Sequence, residues 1–113
     1  MAFEKFEKTG RSYTPKLSIW KRGQFFLNKG AIERFELRKY GYVILYFDRE
    51  DNRIGMKFTT NEKENGARGL LFRDDNAIFS AKSFLDYYDI RHLENKKYNI
   101  DYDSGNEMYV VSL

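Results

Sequence analysis

The sequence predicts an α+β fold that is mostly β: a small barrel made from two pseudo-repeated units of strand–strand–helix–strand–strand. Three observations predict it. Short stretches alternate apolar and polar residues, the pattern of half-buried strands. Only two segments carry helical spacing, each behind a small polar residue, Asn28 or Ser80. The order of elements across residues 17–58 recurs, at low identity, across residues 69–113. Each unit alone is too small to bury its own faces, so the two are expected to share one core in a single domain, residues 1–113.

Composition permits this. The 113 residues are 42% hydrophobic and 18% aromatic, ample for one packed core, and 33% charged, ample for a solvated surface. No apolar run approaches the roughly 20 residues that span a bilayer, so no membrane role is expected. The first residues lack the basic start and apolar centre of an export signal, which makes the cytoplasm the expected location. The absence of cysteine excludes disulfides and thiolate chemistry. The net charge of +3 is unevenly spread: residues 1–49 hold eleven Lys or Arg against five Asp or Glu, and the rest nine against twelve. A basic first half is suited to a polyanion.

Residues 1–16 place Phe3, Phe6 and Tyr13 among charged groups, and Gly10 and Pro15 break any helix. An arm or irregular strand is expected there, carrying Lys5, Lys8, Arg11 and Lys16. Residues 17–20 form a strand with Leu17 and Ile19 on one face and Trp20 on the other. Lys21, Arg22 and Gly23 are its turn, with Gly23 supplying positive φ. Residues 24–27 return. Asn28 then caps a helix over residues 29–38, because its side chain can accept from the free N–H groups of the first turn. Ile32, Phe35 and Leu37 face inward, and Tyr40-Gly41 ends the helix.

The apolar run of residues 42–47 reads as a strand buried on both faces. Residues 48–52 make a hairpin loop, and residues 53–58 alternate Ile54, Met56 and Phe58 inward. The polar stretch 59–68 is the linker between units. In the second unit, residues 70–72 and 77–79 are strands around a turn at Arg73-Asp74-Asp75-Asn76. Ser80 caps a helix over residues 81–88 that buries Phe84, Leu85 and Tyr88. Residues 90–97 are a loop, residues 97–102 put Tyr98, Ile100 and Tyr102 on one face, and Asp103-Ser104-Gly105-Asn106 turns the chain into a last strand.

No enzymatic constellation stands out. His92 is the one histidine and sits in a polar loop, where an exposed spectator is expected. No nucleophile elbow surrounds Ser83 or Ser104. The carboxylate pairs Glu50-Asp51 and Asp74-Asp75 are sequence neighbours, whose side chains point apart. No metal, no cofactor and no catalytic residue is expected. Nucleic-acid binding needs cations for phosphates and polar groups for base edges. Lys21, Arg22 and Gln24 cluster at one turn, where Arg22 suits a guanine edge and Gln24 an adenine edge. Arg34 and Arg38, four apart, are expected on one outer helix face. Trp20 beside the basic turn is the aromatic placed to stack on a base. The competing reading of these residues is a solvated turn and a solvated helix face.

The run Leu17-Ser18-Ile19-Trp20-Lys21-Arg22-Gly23-Gln24-Phe25-Phe26-Leu27-Asn28-Lys29-Gly30-Ala31-Ile32-Glu33-Arg34-Phe35-Glu36-Leu37, with the hairpin of residues 42–58 behind it, resembles the AbrB-like swapped-hairpin motif. That motif has a strand, a basic Gly-containing turn, an alternating strand, a Pro-Lys pair and a short helix before a second hairpin. The resemblance implies a superfamily of SpoVT/AbrB type, with tandem MraZ-like members that hold two copies in one chain. It implies a transcriptional regulator or antitoxin-like factor that binds double-stranded DNA. Asn28 stands where the family has Pro. The second unit has Arg73-Asp74-Asp75-Asn76 in place of a basic Gly-containing turn, and Asp86 and Asp89 on its helix, so the first unit is expected to hold the DNA. The alternative is a non-enzymatic interaction or assembly module, with a second copy or another protein as its partner.

Overall fold

The structure, a computed structural model, describes Phe3 and residues 14–113. Most of the expected N-terminal arm lies outside these residues. Lys16 belongs to the first strand.

Among the described residues, ten strands and two short α-helices follow one another. Strand β1 (Lys16–Ile19) and β2 (Gln24–Asn28) form the first hairpin. Helix α1 (Lys29–Arg34) follows at once, with the Asn28 side chain accepting from the N–H of Ala31 at 2.9 Å. The same Oδ1 also accepts from the N–H of Lys16, tying the helix start to β1. Strands β3 (Tyr42–Asp48) and β4 (Arg53–Thr59) form the second hairpin. Then come β5 (Arg68–Gly69), β6 (Leu71–Phe72), β7 (Asn76–Ser80), helix α2 (Lys82–Tyr87), β8 (Lys96–Asn99), β9 (Asp101–Asp103) and β10 (Met108–Ser112).

The expected small barrel is replaced by two five-stranded antiparallel sheets. Sheet 1 has the order β6-β7-β2-β1-β8, and sheet 2 the order β5-β3-β4-β10-β9. The reason lies at two corners. The chain leaves sheet 2 after β5 and enters sheet 1 at β6, with Leu70 between. It leaves sheet 1 after β8 and enters sheet 2 at β9, with Ile100 between. At each corner the chain changes sheets, and the ladder breaks instead of running on into one cylinder. Leu70 donates its N–H to the carbonyl of Gly41, and Ile100 is buried.

One hydrophobic core joins the sheets and helices. Leu17, Ile19, Phe25 and Leu27 come from sheet 1, and Val43, Ile54, Met56 and Val111 from sheet 2. Ala31, Ile32, Phe84 and Leu85 add the two helices. Phe25 is fully buried and meets Phe79 across the β2–β7 ladder, ring centroids 5.1 Å apart.

Several local expectations change. Helix α1 stops at Arg34, not at residue 38: Phe35 is its C-cap and Glu36 turns left-handed at φ 52°. Leu37 still reaches the core, from the short 3-10 turn Leu37–Lys39. Ser80 ends β7, and Ala81 is the N-cap of α2, with no side-chain hydrogen bond. The strand Tyr42–Asp48 is not buried on both faces throughout, since Tyr46 stands exposed beside Gly55.

Certain features recur between the halves. Strand β2 pairs antiparallel with β7, and β4 with β10. Glu36 and Asp89 each take positive φ just after a helix C-cap, and Asn52 and Glu107 each do so just before the returning strand of a hairpin. Asp48 accepts from the N–H of Asp51 at 3.2 Å, and Asp103 from the N–H of Asn106 at 3.1 Å, so each carboxylate closes its own turn.

Candidate nucleic-acid interface

The first turn is rigid by construction. Trp20 donates its N–H to the carbonyl of Gln24 at 2.9 Å, and Gly23 donates to that of Trp20 at 2.8 Å. Gly23 adopts φ +85°, and a Cβ there would lie 2.6 Å from Cβ of Lys82, so glycine is required on two counts. The Gly23 carbonyl accepts from the N–H of Ala81, which seats the turn on the start of α2.

The loop before β8 splints the turn from the other side. Asn95 Oδ1 accepts the N–H of Lys21 at 3.0 Å, and His92 Nδ1 donates to the Lys21 carbonyl at 2.9 Å. His92 is therefore no spectator: its side chain is largely buried, and its Nε2 lies 3.5 Å from Asp86. With both backbone groups of Lys21 held, the side chains of Lys21 and Arg22 project from a fixed base, exposed and without ion pairs among the described residues. The nearby carboxylate of Asp86 is already engaged by Lys82 at 2.8 Å, and that contact first, with His92 behind it, holds its pKa below the ordinary value.

The predicted residues divide into two places. Trp20, Lys21, Arg22 and Gln24 share the turn. Arg34 and Arg38 do not join them. Gln24 pairs with Ser80 at one end of the β2–β7 ladder and Asn28 with Asn76 at the other, four residue steps or about 13 Å away. Helix α1 starts from the far end. Nor do the two arginines share a helical face, because Glu36 breaks the helix between them. Arg34 is exposed at the end of α1. Arg38 donates to the carbonyl of Arg73 at 3.2 Å and lies 5.3 Å over the Phe72 ring, so it braces the second turn as His92 braces the first.

Other cations gather at the Trp20 end of the sheet instead, Lys97 on the outer face with Ser18 and Lys96 on the face of Ile19. Both lysines belong to the edge strand β8. Arg91 lines a cleft of about 310 Å³ with His92, Glu94, Lys96 and Tyr98. The strands of sheet 1 contain no Asp or Glu at all, and their charged residues are Lys16, Lys96 and Lys97. Sequence reasoning passed over β8 because its lysines sit about 75 residues from the turn. Only strand pairing brings them together.

Among the described residues no group of His, Cys, Asp or Glu is arranged to hold a metal ion. No helix among them is long and apolar enough to cross a membrane. No protein-family model, no curated protein and no solved structure matches the chain.

Proposed function

We propose that this protein is a DNA-binding factor, of the transcription-regulator or antitoxin kind, that holds duplex DNA through the end of sheet 1 where Lys21, Arg22 and Gln24 project. The observation that carries the reading is the charge of that sheet: lysines without a single carboxylate in its strands, beside a splinted basic turn. Phosphates select for such a surface, because each neutralised phosphate releases condensed counterions. Arg34 and Arg38 lie outside this contact and are left to a structural role or to solvent.

The AbrB-like resemblance of residues 17–58 supports the same reading. So does a repeat: a two-fold relation between two copies would pair equivalent strands antiparallel, as β2 pairs with β7 and β4 with β10. On this view residues 17–58 and 69–113 are tandem copies, and the second fills the place of a partner subunit.

The test is binding to random-sequence duplex across a salt series, with Arg22→Ala in parallel. Affinity that falls steeply with salt and weakens in the variant is expected. No binding at low salt overturns the reading. The alternative, a protein-interaction module, has one observation in its favour, the 55% exposure of Leu71 on the same sheet.

A further inference from the structure

We infer that the outer face of sheet 1 is a platform for single-stranded nucleic acid, with a base stacked on Trp20 and the adjoining phosphates held by Lys97, Lys21 and Arg22. The inference rests on the nucleic-acid reading above, extends it from the duplex to a single strand held on the same sheet, and adds the stacking residue and the face.

Strand register builds the platform. Leu17, Ile19, Phe25 and Leu27 point into the core, so Ser18, Trp20, Gln24 and Phe26 point out. Direct partners then run across all five strands in one row: Leu71, Ile78, Phe26, Ser18 and Lys97. The row is apolar at its β6 end and cationic at its β8 end. Trp20 stands beside it, 41% exposed, its ring 4.7 Å from Phe26 and tilted by 32°. Phe26 supports the indole, and the hydrogen-bonded turn fixes its backbone. An exposed aromatic held in place needs little ordering when a ligand arrives.

The ligand must suit both ends of the row. An unpaired base has a free π-face for an indole, and its phosphate lies within reach of a neighbouring cation. A duplex keeps its bases stacked on one another and offers Trp20 only sugar and phosphate. A basic protein partner would meet lysines with no carboxylate in the strands to receive it. Charge complementarity therefore selects a polyanion, and the exposed indole selects its single-stranded form.

The experiment titrates the full chain with a mixed-sequence single strand and with the matching duplex at low salt. Anisotropy of the labelled nucleic acid reports binding. Emission of Trp20, the sole tryptophan, reports stacking. The single strand should quench Trp20 and bind more tightly than the duplex. Trp20→Ala should weaken single-strand binding about tenfold and leave duplex binding within about twofold. Trp20→Phe, which keeps a ring, should restore most of the loss. Lys97→Ala should weaken single-strand binding without disturbing the turn, and melting curves of each variant confirm its folding. If the duplex binds and the single strand gives neither quenching nor tighter affinity, this inference is overturned while the DNA reading stands. If neither form binds at low salt, both fall, and the face belongs to a protein partner.

Discussion

The two sheets have five strands each, share one core, and differ on their outer faces. Sheet 2 engages Asp48, Arg53, Lys57 and Asp103 within itself and turns Arg68 to the carbonyl of Ser80 and the hydroxyl of Ser83. Asp48 receives the N–H groups of Glu50 and Asp51 and the guanidinium of Arg53, which lies 3.1 Å away and also faces Asp51 at 3.8 Å. Lys57 lies 5.6 Å over the Tyr46 ring, and Asp103 is occupied by Asn106. Sheet 1 leaves Lys97 on its outer face with no carboxylate in its strands, and exposes Trp20 and Leu71 beside it, whereas the exposed aromatics of sheet 2 are the tyrosines Tyr46 and Tyr102. Charges spent on closing turns serve the fold. Charges left open on a rigid surface are available to a partner.

The largest predicted effect abolishes the comparison, because it removes what joins the sheets. Phe25→Ala empties a fully buried site against Phe79 and should cost about 3–5 kcal/mol by urea denaturation. A loss under 1 kcal/mol would mean that the shared core is not built this way.

Next comes the turn that sheet 1 depends on. Gly23→Ala imposes a left-handed backbone on a residue with a Cβ, about 1–2 kcal/mol, and adds a collision with the backbone of Lys82. Gly41 has open space and no positive φ, so Gly41→Ala should stay within about 0.5 kcal/mol. Equal effects at the two glycines would contradict the seating of the turn on α2.

A smaller effect belongs to sheet 2. The Asp48 carboxyl is held below its ordinary pKa, first by the N–H of Asp51 and then by Arg53. Asp103 is lowered likewise, first by the side chain of Asn106. A depressed folded pKa contributes stability that is present above the unfolded value, near 3.9, and is lost as pH falls through the folded value. Melting temperature should therefore drop on acidification from about pH 4 downward. The drop should shrink in the double variant Asp48→Asn, Asp103→Asn. An unchanged acid profile in that variant would remove these carboxylates from the account.

The smallest effect separates the predicted cations. Arg34→Ala should leave DNA affinity within about twofold, while Arg22→Ala lowers it severalfold. The reverse order would move the contact to the α1 end of the sheet.

Particular residues show why the sequence carried some of this and not the rest. The hairpin of β3 and β4 was legible because Ile54 and Met56 alternate against polar neighbours and because an acidic turn separates two apolar runs. The Asn28 cap was legible because capping is local chemistry. The end of α1 was not, since Glu36 adopts a left-handed backbone without being glycine or asparagine. That single residue separates Arg34 from Arg38. Ser80 has the chemistry of a cap, yet β7 extends through it to pair with Gln24, and tertiary pairing prevails over local preference. His92 was read as an exposed spectator and Lys97 was passed over, because their partners, Lys21 and Ser18, are far away in sequence. The barrel was expected because two units, each too small to bury its own faces, should close around one core. The corners at Leu70 and Ile100 break it, and no residue type there signals a corner.

The central claim is that sheet 1, and not sheet 2, faces the nucleic acid. Its most direct test is the salt dependence of duplex binding in two matched variants, Lys97→Ala on sheet 1 and Lys57→Ala on sheet 2. The account predicts that Lys97→Ala weakens binding and reduces the slope of log affinity against log salt by about one, while Lys57→Ala changes neither. Equal slopes in the two variants, or a reduced slope for Lys57→Ala alone, would contradict it.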